Sequence, residues 1–109
     1  MKENQVYIEH ILLAIGKILG YTKDISKDDF IKNEMIQDAV IRNIEIIGEA
    51  TKKISDDFKA SFRSIPWKVM AGMRDKLIHD YMGVDTEVVW KTIEKDIPLL
   101  ESLLRNIDL

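Results

Sequence analysis

The chain has 109 residues, 46% apolar and 32% charged, enough for one hydrophobic core and too few for two, so residues 1–109 read as a single domain. A formal net charge of −3 argues against indiscriminate nucleic-acid binding, and the lack of cysteine excludes disulfides, thiolate metal sites and cysteine nucleophiles, which fits the cytoplasm. The longest apolar runs, Ile11 to Ile15 and Trp67 to Met73 (broken by Lys68), fall far short of a membrane span, and Met1-Lys2-Glu3-Asn4 leads into an amphipathic helix rather than a secretory signal.

Helical periodicity dominates the chain. Ile8, Ile11, Leu12, Ile15, Ile18 and Leu19 recur three and four apart and predict a first helix, stopped by Gly20 and followed by a connection over Tyr21 to Ser26. A long second helix is expected from a cap at Ser26 or Asp28 to about Ile54, with Ile36, Val40, Ile44, Ile47 and Ile54 on its apolar face. Asp38, Arg42, Glu45, Glu49 and Lys52 lie opposite, and Asp38 and Arg42 are spaced to pair. A short helix over Asp57 to Phe62 precedes a loop. Pro66 suits the first turn of a third major helix through Trp67, Met70, Met73 and Leu77, ending near Tyr81 to Gly83. Asp85 or Thr86 caps a last helix whose buried face is Val89, Ile93, Ile97, Leu100, Leu104 and Ile107. Pro98 inside that run predicts a kink or break. The elements add up to an all-α, antiparallel bundle of four to five helices.

The segment Met73-Arg74-Asp75-Lys76-Leu77-Ile78-His79-Asp80-Tyr81 carries the chemistry, in the pattern Arg-x4-His-x-Tyr. Arg74 offers a permanent, fork-shaped positive charge suited to phosphate, and His79, one of only two histidines, titrates near neutral pH. Together they point to chemistry on a phosphodiester that needs no metal. Each residue also has a plainer role. His79 fits a helix C-terminus favoured by the macrodipole, and the Tyr81 ring could plug the bundle end. His10 has no motif around it. Met70, Met73 and Met82 read as core or interface filler, and Trp67 and Trp90 as bundle packing. Arg42, Glu45 and Glu49 form a polar stripe that is ordinarily solvated, though in a dimer it could line a cleft. From Lys52 to Lys76, seven basic residues face three acidic ones, a local surplus of four charges in an acidic chain. That strip reads as a solvated face, and it is also what RNA phosphates beside a site would require.

Four blocks, taken in order, resemble the HepT-like family of the HEPN superfamily. They are Ile41-Arg42-Asn43-Ile44-Glu45-Ile46-Ile47-Gly48-Glu49-Ala50, then Ile65-Pro66-Trp67, then Gly72 through Tyr81, and finally Val84-Asp85 with Val89-Trp90. The resemblance implies a HEPN-like bundle that forms a homodimer and acts as a metal-independent, cofactor-free endoribonuclease. It further implies the toxin of a type VII-like toxin–antitoxin pair, silenced by a nucleotidyltransferase antitoxin that adds AMP to the motif tyrosine. By position, Arg74 and His79 would be the catalytic pair, Asp75 a supporting polar residue, and Tyr81 the modification target. The alternative is a non-catalytic module of the same fold that binds nucleotide, RNA or only its partner.

Cleavage of RNA without metal uses the neighbouring 2′-hydroxyl as nucleophile and leaves a 2′,3′-cyclic phosphate and a 5′-hydroxyl. His79 can move either proton, and Arg74 can hold the non-bridging oxygens as charge builds. DNA lacks the attacking hydroxyl, so RNA is the expected substrate. On an ideal helix, at ~100° per residue, Arg74 and His79 would point ~140° apart. Either the helix ends near His79, or a second subunit completes the cleft; the two are compatible.

Overall fold

The computed structural model describes residues 2–77 and 83–107, whose regular structure is helical. The elements are α1 (Lys2–Thr22), α2 (Lys27–Ile31), α3 (Glu34–Lys53), α4 (Asp56–Ser61), α5 (Trp67–Ala71), a 3₁₀ turn (Met73–Lys76), α6 (Thr86–Lys91), a π-helical turn (Thr92–Asp96) and α7 (Ile97–Arg105). They form the all-α bundle that the periodicity predicts, consistent with the HEPN-like fold that the resemblance implies.

α1 and α3 are the central pair, and they run antiparallel. Asn4, at the start of α1, accepts from the Ser55 backbone N–H (3.0 Å), and its amide donates to Ser55 Oγ (3.1 Å), just past the end of α3. Ser55 Oγ in turn accepts from Phe58 N and caps α4. The apolar stripes meet as expected. Ile8, Ile11, Ile15 and Ile18 of α1 and Val40, Ile44 and Ile47 of α3 have no exposed surface, with Phe30, Met70 and Ile97 completing the core. Burying side chains of this size stabilises the fold by about 1.5–3 kcal/mol each before conformational entropy is charged against it.

Local chemistry changes several boundaries. Gly20 does not stop α1: the helix runs on to Thr22, whose hydroxyl donates back to Ile18 O (2.8 Å). The reversal comes at Asp24, in the left-handed region at φ 64°, which a short polar side chain tolerates. The expected long second helix is two helices. Asn33 interrupts it by capping α3, accepting from Ile36 N (3.0 Å). The Gln37 amide then donates to Phe30 O and Ile31 O, adding side-chain bonds to the last carbonyls of α2, of which Phe30 O also accepts from Asn33 N. Ser26 caps α2, as its sequence position suggests. Arg42 does not pair with Asp38; it reaches Glu45 instead, at 4.0 Å.

The third helix is shorter than its stripe implies. Pro66 is the residue before α5, with its carbonyl accepting from Met70 N, and α5 ends at Gly72. Asp75 N then bonds Gly72 O, three residues back, so the chain tightens into the 3₁₀ turn. Trp67, Met70, Met73 and Leu77 are all buried even so. The predicted end of this helix at Tyr81, together with Met82, lies outside the described residues. Asp85 caps α6 by accepting from Val88 N.

Pro98 acts one turn ahead of itself. Its ring and missing N–H disturb the ladder toward Glu94, and the chain widens into the π turn over Thr92–Asp96 before α7 resumes. α2 is held to α6 by Phe30 against Trp90 (ring centroids 5.3 Å apart) and by Lys27 to Glu87 (2.7 Å), a contact that raises the Lys27 pKa through its hydrogen bond and the nearby negative charge. Among the described residues, no helix is long and apolar enough to cross a membrane.

Candidate functional site

Arg74 stands on the 3₁₀ turn, between Met73 and Leu77, which anchor that turn in the core. Its partner comes from a distant part of the chain. Arg74 Nε donates to Glu45 Oε2 on α3 at 3.0 Å, across 29 residues. The other Glu45 oxygen lies 4.0 Å from Arg42 Nη1, and Arg74 Nη1 is 3.7 Å from Asp75 Oδ1. The guanidinium is half exposed, so it is oriented by carboxylates while still open to solvent. Asp75, expected as a supporting residue, is thus brought to the arginine, and so is Glu45 from the stripe that reads as solvated surface.

These groups line a depression of about 210 Å³ with Gly48, Glu49, Lys52 and Ala71. Gly48 lines it where α5 lies against α3. A Cβ there would sit 3.2 Å from Ala71 O and 3.6 Å from Met70 O, so α5 approaches the α3 backbone more closely than a larger residue permits. A glycine in the middle of a long helix, disfavoured by about 1 kcal/mol relative to alanine, is the sequence signal that marks this contact. No comparable local signal points to the Glu45–Arg74 pair.

His79 and Tyr81 lie outside the described residues, so the Arg-x4-His pair is described at its arginine alone. The chain leading into that segment is not an ideal α-helix, since it breaks at Gly72 and turns at Leu77. The ~140° separation applies to an ideal helix, and the described part of that path, Arg74 to Lys76, is 3₁₀ instead. Leu77 O accepts from Asp85 N (2.8 Å), which ties the described chain on either side of the segment. His10 is exposed, with its ring edge-on to Tyr7 at 6.3 Å, and takes no part in this site. Trp67 is packed as expected, its indole N–H donating to Lys59 O and Phe62 O. Among the described residues, no group of three or more His, Asp or Glu side chains is placed to hold a metal ion.

The fold is thus a helical bundle that presents one arginine beside a cleft. The chain belongs to the family described as Ribonuclease HepT-like, which matches residues 11–107. It is similar to "Probable ribonuclease HepT" of Thermococcus cleftensis, with 50% identity over 97% of this chain and 96% of the relative. It is also similar to a protein of Caldanaerobacter subterraneus subsp. tengcongensis named "Putative RNase", with 44% identity over 98% of this chain and 96% of that one. A longer protein of Methanocaldococcus jannaschii, named "Gamma-glutamylcyclotransferase and putative RNase", is 47% identical over 97% of this chain, which spans only 48% of its length. No solved structure matches the chain.

Proposed function

We propose that the protein is an RNA endonuclease that needs no metal ion, with Arg74 and His79 as its catalytic pair. The observation that carries the reading is Arg74, presented half exposed at a cleft by Glu45 and Asp75 in a chain of the HepT-like family. A fork-shaped cation held by its Nε edge is oriented for an incoming phosphate without having to order itself first. The 2′-hydroxyl attacks phosphorus as His79, or its counterpart in a second copy, takes the proton. The 5′-oxygen departs protonated, leaving a 2′,3′-cyclic phosphate. Asp75 supports the guanidinium from its own turn.

Two further elements belong to the reading. The active form is a homodimer whose two motifs share one cleft. The protein serves in the cytoplasm as the toxin of a toxin–antitoxin pair, and a nucleotidyltransferase partner silences it by adding AMP to Tyr81. The added nucleotide puts bulk and negative charge where substrate phosphate must sit.

The test is cleavage of RNA by purified protein in excess EDTA, with products checked for cyclic phosphate ends. His79→Ala should abolish cutting and leave the helical CD spectrum intact. Cutting that persists in the variant points to another site or a contaminant. Mass spectrometry after incubation with the partner and ATP should find AMP on the peptide that contains Tyr81, and addition elsewhere alone would defeat that part.

A further inference from the structure

A second, larger depression of about 620 Å³ lies between α4 and α5, shallow and open to solvent. Lys59 of α4, Arg63 of the following loop and Lys68 of α5 line it, and among the described residues no carboxylate does. None of the three cations is in an ion pair with another described residue, unlike Arg74, Lys27 and Arg105. In a chain of net charge −3, three cations around one groove without a described ion-pair partner are a local concentration of positive potential. Val69, 47% exposed, adds an apolar edge. Ala71 lines both this groove and the Arg74 depression, so the two are neighbours on the surface.

We propose that this groove is the path of a single-stranded RNA flanking the scissile linkage, its phosphates held by Lys59, Arg63 and Lys68. The proposal rests on the ribonuclease reading for its choice of occupant. The open shape fits a strand that lies across the surface better than a small metabolite that must be enclosed. No base-reading apparatus accompanies the charges. Trp67, the aromatic ring at the groove, is 8% exposed and held by its indole N–H to two carbonyls, so it cannot serve as a stacking platform. Affinity here is therefore electrostatic and indifferent to sequence, and specificity is left to the cleft at Arg74.

The decisive measurement is binding of a labelled single-stranded RNA dodecamer by fluorescence anisotropy across a salt series. It uses the His79→Ala protein so that the ligand survives. Three groove phosphates and the scissile phosphate at Arg74 predict that log affinity falls with log salt at a slope near −3, about a 50-fold loss between 50 and 200 mM. Arg63→Ala and Lys68→Ala remove exposed side chains, and each should flatten the slope by ~0.7 and weaken binding about fivefold at 0.1 M salt. Adding Lys59→Ala should bring the loss to roughly a hundredfold. Lys95→Ala, an equal change of charge on the π turn, should bind as the parent does, and CD verifies folding throughout.

Groove variants that keep parental affinity and slope overturn the proposal, as does a parent with no measurable RNA binding. Variants that bind RNA normally but lose an acidic protein partner overturn it in favour of a protein interface. The two readings fail separately. A protein that loses RNA binding with the groove charges, yet never cuts RNA with His79 in place, keeps the groove and loses the ribonuclease. One that cuts RNA whatever the groove carries keeps the ribonuclease and loses the groove.

Discussion

Arg74 is held between two carboxylates, and Glu45 is the nearer. Glu45 meets its Nε at 3.0 Å, and both side chains are partly exposed, so the pair contributes at most about 1 kcal/mol to stability. Its consequence is orientation. If Arg74 must hold a phosphate in line with the leaving oxygen, freeing it by Glu45→Ala should lower kcat roughly tenfold to a hundredfold while KM changes little and the melting temperature moves by only a few degrees. Glu45→Gln keeps an acceptor for Nε and should recover part of the loss. Steady-state kinetics on a defined RNA separates the outcomes. A kcat that rises in Glu45→Ala would mean that the carboxylate competes with phosphate rather than positioning its receptor.

At the scale of elements, the cleft depends on how closely α5 lies on α3. The 3.2 Å gap from a hypothetical Gly48 Cβ to Ala71 O leaves no room for a branched side chain. Gly48→Val should therefore destabilise the protein by about 2 kcal/mol, as overpacking does, and thermal denaturation should show a loss on the order of 10 °C. Gly48→Ala is milder, because the gain in helix propensity offsets the tighter contact. The break between α2 and α3 is also a built feature. Asn33→Ala removes the α3 cap and should cost about 1 kcal/mol, read as a fall of roughly 5 °C in the same experiment. If Asn33→Ala were neutral, the Gln37 bonds to Phe30 O and Ile31 O would be holding the break alone.

For the molecule as a whole, the decisive property is whether one copy suffices. The shared-cleft reading expects the protein to run as a dimer in analytical ultracentrifugation and expects cleavage to fall with dilution as the dimer dissociates. A folded variant that is monomeric at all concentrations should lose at least ~100-fold in cleavage, the scale on which a mispositioned catalytic group acts. Full activity in such a variant would confine the catalytic pair to one chain and remove the need for a partner copy.

The helical class, the core and most caps are legible along the chain because they follow from neighbours three or four residues apart. Ile8, Ile11, Ile15 and Ile18 fall in the core as their spacing predicts, Ser26 caps α2, and Asp85 caps α6. The family and the candidate Arg74 are legible for the same reason, as contiguous blocks. Periodicity overstated helix length wherever a side chain or glycine could close the ladder sooner. Asn33 ends what reads as one helix, Gly72 turns another into a 3₁₀ turn, and Pro98 widens the turn before it rather than breaking its own. Only the tertiary structure joins Glu45 to Arg74, presses Gly48 against α5 and sets the basic groove beside the cleft at Ala71. Glu45 and Arg74 stand 29 residues apart, and the geometry of such contacts is set by how whole helices pack. A local sequence pattern specifies which face of a helix is buried; the element that covers it, and the polar side chain that arrives with it, follow from the global minimum of packing.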